Sequence, residues 1–241
     1  MRRMLVLSGM TLVGLLAVAS PAAARDDEAV VCDGTAQGLI VNGSLTVPEG
    51  GSCTLEDSTV RGDVKVRSAG FFHGSNTNIR GDVKGKRAQT IFLDGGSSVR
   101  GDVKGDRTSQ VFVFASSVNG EIDVTRADDK VNLCGNTVQG DIEVERSGRD
   151  ILVGDPDAVD CPGNTVKRGD VEVEDNFTDV ELIVRGNTIL RGDLDVKRNT
   201  GPSDKFVEDN IGGNRLDCKG NSDLFVASDN TGWKKITGQC D

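Results

Sequence analysis

The residues of this chain best placed to do chemistry are ten carboxylates that recur in one local setting. Glu121 and Asp123 flank Ile122. Asp141, Glu143 and Glu145 alternate with Ile142 and Val144; Asp170, Glu172 and Glu174 alternate with Val171 and Val173; Asp193 and Asp195 flank Leu194. Each group follows a glycine, at Gly120, Gly140, Gly169 and Gly192. In earlier copies of the pattern the slot of Asp123 and Glu143 holds Lys65, Lys84 and Lys104, so the sign of the charge changes part-way along the chain. If the copies lie on neighbouring strands, the acids stand roughly 5 Å apart, where like charges destabilise unless water, arginine or a cation screens them. Such a rank is a candidate surface for calcium, for another cation or for a basic partner. The same residues also suit a solvated face that prevents sideways aggregation.

A second acidic cluster, Asp155, Asp157 and Asp160, places three carboxylates within six residues. It is a candidate calcium cradle, although it lacks the glycine and the closing glutamate of a calcium loop. Five Arg-Gly-Asp triplets (Arg61 to Asp63, Arg80 to Asp82, Arg100 to Asp102, Arg168 to Asp170, Arg191 to Asp193) look like the tripeptide that integrins recognise. A structural origin accounts for them equally: glycine where no side chain fits, and polar residues in solvent slots that drift to Asn42, Asn119 and Gln139, and to Ser44 and Glu121. His73, the only histidine, is expected at a turn or the edge of the core rather than as a general base. No serine or cysteine has a histidine partner in register, and zinc would need cysteines or histidines at short spacing. The hydroxyl column Thr59, Ser98, Ser117, Thr137 and Thr188 is of the kind that meets ice, but the neighbouring rank (Ser58, Thr77, Ser97, Asn136) is mixed.

These residues are carried by a repeat. Gly43, Gly62, Gly81, Gly101, Gly120, Gly140, Gly169, Gly192, Gly213 and Gly238 follow one another at intervals of 19, 19, 20, 19, 20, 29, 23, 21 and 25. A period near twenty is the mark of a solenoid. Within a unit, Val60, Gly62, Val64 and Val66 alternate with Arg61, Asp63 and Lys65, the period of a half-buried strand. A second apolar segment follows about ten residues on, as in Ile91-Phe92-Leu93 and Val111-Phe112-Val113-Phe114, and small polar residues such as Ser97-Ser98 and Asn136-Thr137 close the unit. No unit has enough apolar surface to fold alone, and stacking joins them into one core. The expectation is all-β: a parallel β-helix of about ten coils, right-handed by the general crossover preference, rather than an antiparallel sandwich. Insertions are expected near 155–163 and 199–205, on the half where a binding face would form.

The first 24 residues read as a secretory signal peptide, with a basic Met1-Arg2-Arg3-Met4, an apolar run from Leu5 to Ala19 and the small residues Ala22-Ala23-Ala24. The remaining 25–241 form a single domain with no further apolar run that could span a membrane. Losing Arg2 and Arg3 takes the formal charge from −10 to −12, which excludes nucleic acid as a main partner. Six cysteines in an oxidising compartment read as three disulfides. Equivalent residues of adjacent coils are about 4.8 Å apart, so Cys32 should pair with Cys53, Cys134 with Cys161, and Cys218 with Cys240.

At Val138-Gln139-Gly140-Asp141-Ile142-Glu143-Val144, at Ile211 to Asn221 and at Gly238-Gln239-Cys240, the chain resembles secreted actinobacterial β-solenoid proteins. The resemblance implies the fold and a secreted location, and no activity. The coil length also resembles that of bactofilins, which polymerise end to end, although bridged ends argue against such growth. The resulting expectation is a secreted, non-enzymatic β-solenoid without a cofactor, calcium apart, whose charged ladder surface contacts the cell envelope or an extracellular macromolecule, a glycan or a basic protein. The alternative is a polysaccharide lyase or hydrolase of the parallel β-helix type. A single tryptophan, Trp233, and no tyrosine leave few aromatic platforms for gripping sugars.

Overall fold

Valine, isoleucine and leucine at alternate positions, broken by small polar residues, build short strands and tight corners. The computed structural model describes residues 29–157, 161–222 and 224–241; the expected leader at 1–24 and Asp160 lie outside the described residues. The strands stack in register into three parallel sheets of eleven, ten and nine strands, with no helix among the described residues. One coil runs through Val83–Lys86 in the first sheet, Thr90–Asp94 in the second and Ser98–Val99 in the third, and the next begins at Val103–Asp106. The molecule is the expected parallel β-solenoid.

Inward columns fill the interior. Leu45, Val64, Val83, Val103, Ile122, Ile142, Val171, Leu194 and Leu216 of the first sheet have no exposed surface. Ile91, Val111, Val131 and Ile151 of the second sheet, and Val60, Val99, Val118 and Val138 of the third, close the same core. One column contains a surprise: Lys205 pairs in register with the inward Leu182 and is wholly buried. Its ammonium donates to the carbonyls of Gly201 at 3.1 Å and Ser203 at 2.8 Å, and burial pulls its pKa down.

Three disulfides bridge adjacent coils as expected: Cys32–Cys53, Cys134–Cys161 and Cys218–Cys240, with Cα separations of 5.5, 4.8 and 5.3 Å. In the corner between the second and third sheets, Asn136, Asn164, Asn187 and Asn210 form the hydrogen-bonded ladder expected from coil to coil. A matching ladder of Ser147, Asn176, Asn199 and Asn221 occupies the corner between the first and second sheets. That second corner also requires a left-handed residue in each coil. Arginine supplies it at Arg87, Arg107, Arg126 and Arg146, with φ of 55°, 53°, 61° and 50°.

One element differs from expectation. The alternating stretch Val60 to Val66 is two strands, Thr59–Val60 in the third sheet and Val64–Val66 in the first, with Arg61, Gly62 and Asp63 as the corner between them. The corner's glycine lies against the preceding coil, where a Cβ at Gly62 would stand 2.7 Å from the Ser44 nitrogen.

Candidate functional site

The outer face of the first sheet holds the charged rank. Strand register places Lys65 beside Lys84, Lys84 beside Lys104 and Lys104 beside Asp123. It then places Asp123 beside Glu143, Glu143 beside Glu172, and Glu172 beside Asp195. The column is continuous and changes sign once, between Lys104 and Asp123. A second outward column lies two residues further along each strand: Lys86, Asp106, Thr125, Glu145, Glu174 and Lys197.

The two halves are neutralised differently. In the basic half Lys84 meets Asp82 at 2.5 Å, and Lys104 meets Asp102 at 3.3 Å and also Glu121. These partners raise the pKa of both lysines, and Lys84 holds that of Asp82 down. The far end of the acidic half is answered from within the chain. Lys197 lies 2.7 Å from Asp195 and 3.2 Å from Asp217; Arg215 lies 3.0 Å from Asp193 and 3.1 Å from Asp195; Arg198 lies 2.5 Å from Glu174. Between these ends Glu143 and Glu172 form no ion pair among the described residues. Burial, with Asp123, Glu145, Glu172 and Glu121 around it, pushes the Glu143 carboxyl up to about 7, and burial beside Glu174, Asp195, Asp170 and Asp141 also raises Glu172.

The aspartates of the Arg-Gly-Asp triplets are more than residents of a solvent slot. Asp63 Oδ1 accepts the backbone N–H of Asp82 at 3.1 Å, Asp82 that of Asp102 at 2.9 Å, and Asp102 that of Glu121 at 3.2 Å. Asp141, Asp170 and Asp193 serve the coils after them in the same way. They form a third corner ladder, between the third and first sheets. At Glu121 the longer side chain turns to Lys104 instead. The glycine is needed because a Cβ at Gly101 would stand 2.9 Å from the Asp82 carboxylate carbon and 2.9 Å from the Gly81 carbonyl. The triplet therefore precedes its strand rather than beginning it. Arg168 and Arg191 fall outside the column of Arg61, Arg80 and Arg100, because Lys167 and Leu190 make the equivalent backbone bonds.

The Asp155 loop closes on an arginine. Arg185 Nη1 lies 3.2 Å from Asp155 and 2.6 Å from Asp157, and Nη2 meets Glu208. A guanidinium thus stands where these carboxylates converge. Among the described residues no group of three or more histidine, cysteine or acidic side chains is arranged to hold a metal ion.

The second sheet corrects the expectation about aromatics. Phe92 and Phe112 pair in register and face outward, beside inward Ile91 and Leu93 or Val111 and Val113. His73 stacks on Phe92 with ring centroids 4.4 Å apart, and Phe112 stacks on Phe114 at 6.2 Å. His73 Nε2 lies 3.2 Å from Asp94. The signal was present as a five-residue alternation, Gln110 to Phe114, whose polar first position marks the outer side. On the third sheet the hydroxyl rank Ser98, Ser117, Thr137, Thr165 and Thr188 is in register. Its expected neighbour is buried: Ser58, Thr77, Ser97 and Asn136 point into the corner, leaving a single outward rank.

Searches of protein-family models, curated proteins and solved structures find no match for this chain. The reading of function thus rests on the geometry above. Among the described residues no helix is long and apolar enough to cross a membrane.

Proposed function

We propose that this chain is an exported, non-enzymatic scaffold whose first-sheet face binds a charged macromolecule of the cell envelope or its surroundings, in adhesion or matrix contact. The observation that supports it is the single column of Lys65, Lys84, Lys104, Asp123, Glu143 and Glu172, held in register at one coil per charge. A rigid sheet presents such charges without first ordering them, which lowers the cost of binding. Three disulfides in one chain suit an oxidising compartment, in keeping with the leader. The test is co-sedimentation of the purified chain with envelope fractions and with anionic and cationic polymer beads. Retention that falls with salt and is lost with Glu143→Gln/Glu172→Gln or Lys65→Ala/Lys84→Ala supports the reading. Retention indifferent to both pairs removes it.

A second reading, a polysaccharide-active enzyme, draws on the outward rings of Phe92, Phe112 and Phe114 beside His73 and Asp94. Apolar sugar faces stack on such rings. A glycan-array and depolymerisation screen separates the two: turnover defeats the scaffold reading, and binding without turnover defeats the enzyme.

A further inference from the structure

The central outward column of the first sheet is complementary to itself. The outer column carries plus charges at Lys65, Lys84 and Lys104, then minus charges at Asp123, Glu143 and Glu172, with the inversion between Lys104 and Asp123. The second column carries Lys86 before the inversion and Glu145 and Glu174 after it; next to the inversion Asp106 and Thr125 break the pattern, and Asp106 is already paired with Arg126. Arg67, directly after the Val64–Val66 strand, adds another plus charge to the basic half.

We propose that the partner of this face is a second copy of the chain, packed antiparallel across a twofold axis that runs along the strands between Lys104 and Asp123. This rests on reading the first sheet as a contact face, and it names what that face contacts. The axis sets Lys104 opposite Asp123 of the second copy, Lys84 opposite its Glu143 and Lys65 opposite its Glu172. In the other column Lys86 comes to face its Glu145, and Arg67 its Glu174. Symmetry makes every pair twice. Because both partners have the same coil spacing, about 4.8 Å, the register does not drift along the contact.

Two features of the free chain favour this occupant. Among the described residues Lys65, Arg67, Lys86 and Arg87 form no ion pair, and with Lys84 they line a shallow groove on an otherwise acidic molecule. Glu143 and Glu172 likewise form no ion pair, and the groups around Glu143 that hold its charge in check are all acids. A linear polyanion would satisfy Lys65 and Lys84 and then meet Asp123, Glu143 and Glu172; a polycation would fail at the other end. A second copy satisfies both ends together. A twofold along the solenoid axis would lay lysine on lysine and glutamate on glutamate, at a cost. Exposed ion pairs are individually weak, so the dimer is weak and salt-sensitive.

The test is sedimentation velocity on the chain from Arg25 onward, which retains every described residue. At low ionic strength it should associate. At about 1 M salt, where screening acts within roughly 3 Å, it should be monomeric. Lys65→Glu/Lys84→Glu leaves Lys104 as the one cation among the six charges of the outer column, and Glu143→Lys/Glu172→Lys leaves Asp123 as its one acid. Each variant alone should lose association at least about tenfold at low salt, and an equimolar mixture of the two should recover it as a heterodimer. Recovery on mixing requires both variants to be folded, so it cannot arise from a folding defect. A natural chain monomeric at low salt, association that persists in either variant alone, or a mixture that stays monomeric overturns the proposal. A monomer still retained by charged beads through these residues overturns the partner and leaves the contact-face reading standing. A monomer that the beads ignore overturns both.

Discussion

Asn164 Oδ1 accepts two hydrogen bonds from Asn136, one from its backbone N–H and one from its side-chain amide, both at 3.0 Å. Asn164 in turn donates to the Leu133 carbonyl at 2.7 Å and to Asn187 Oδ1 at 3.0 Å. Every polar atom of the amide is thus used inside a buried corner. Asn164→Ala leaves two donors of Asn136 unpaired, its backbone N–H and one side-chain N–H, while the Leu133 carbonyl keeps the Gly154 N–H. An unsatisfied buried group costs about 1–3 kcal/mol, so we expect a loss of roughly 2–4 kcal/mol by urea denaturation. Asn164→Asp should cost more, because it removes the donor and buries a charge.

The aspartate ladder makes a different prediction about the Arg-Gly-Asp triplets. Asp102→Ala removes the acceptor of the Glu121 N–H and a partner of Lys104, so it should destabilise by about 1–3 kcal/mol. Asp102→Glu should also destabilise, since the glutamate already present at Glu121 accepts nothing from Asp141 N–H. Cell binding should be the same for the natural chain, Asp82→Glu and Asp102→Glu. A loss of adhesion with intact melting temperature would return the triplets to an integrin-like role.

Glu143 sets a pH dependence. Its carboxyl is raised from 4.5 to about 7, mainly by burial and then by its acidic neighbours. The folded chain binds this proton more tightly than the unfolded chain. The associated stability is fully present below about pH 4.5 and is lost as pH rises through about 7. Glu143→Gln should therefore raise the melting temperature at pH 8 and leave it unchanged near pH 4. Equal effects at both pH values would show that the carboxyl does not titrate in this window.

The Cys134–Cys161 bridge closes a span of 27 residues across the longest insertion. A loop of that size gives about 3–4 kcal/mol by chain entropy. Replacing both cysteines with serine should lower stability by that order, and should leave the strand signal in circular dichroism unchanged. A drop confined to residues near the insertion by hydrogen exchange would show local rather than global coupling.

Much of this was legible beforehand. The recurrence of Gly81 and Gly101 gave the coil, the coil gave the sulfur pairs, and the register turned Lys104 and Asp123 into neighbours. What escaped was whatever period-two alternation cannot resolve. Phe112 and Val113 are both apolar, so their opposite directions were hidden until the polar Gln110 was counted with them. Asp82 and Lys84 are both polar and outward, yet Asp82 is tied to the next coil's backbone and Lys84 only to the Asp82 carboxylate. Asn176, Asn199 and Asn221 recur at separations of 23 and 22 residues, off the period near twenty that marks the coil. Lys205 broke the rule that a core column is apolar, and only the carbonyls of Gly201 and Ser203 explain how it is tolerated.

The bridges at the two extremities alter how the molecule meets mechanical load. Tension applied ahead of Cys32 passes through sulfur to Cys53, and tension behind Cys240 passes to Cys218, so the outermost turns are bypassed. Unravelling under a pull must then begin from within, at strands that bond to neighbours on both sides. A tether built this way yields at a higher force than its frayed ends alone would allow.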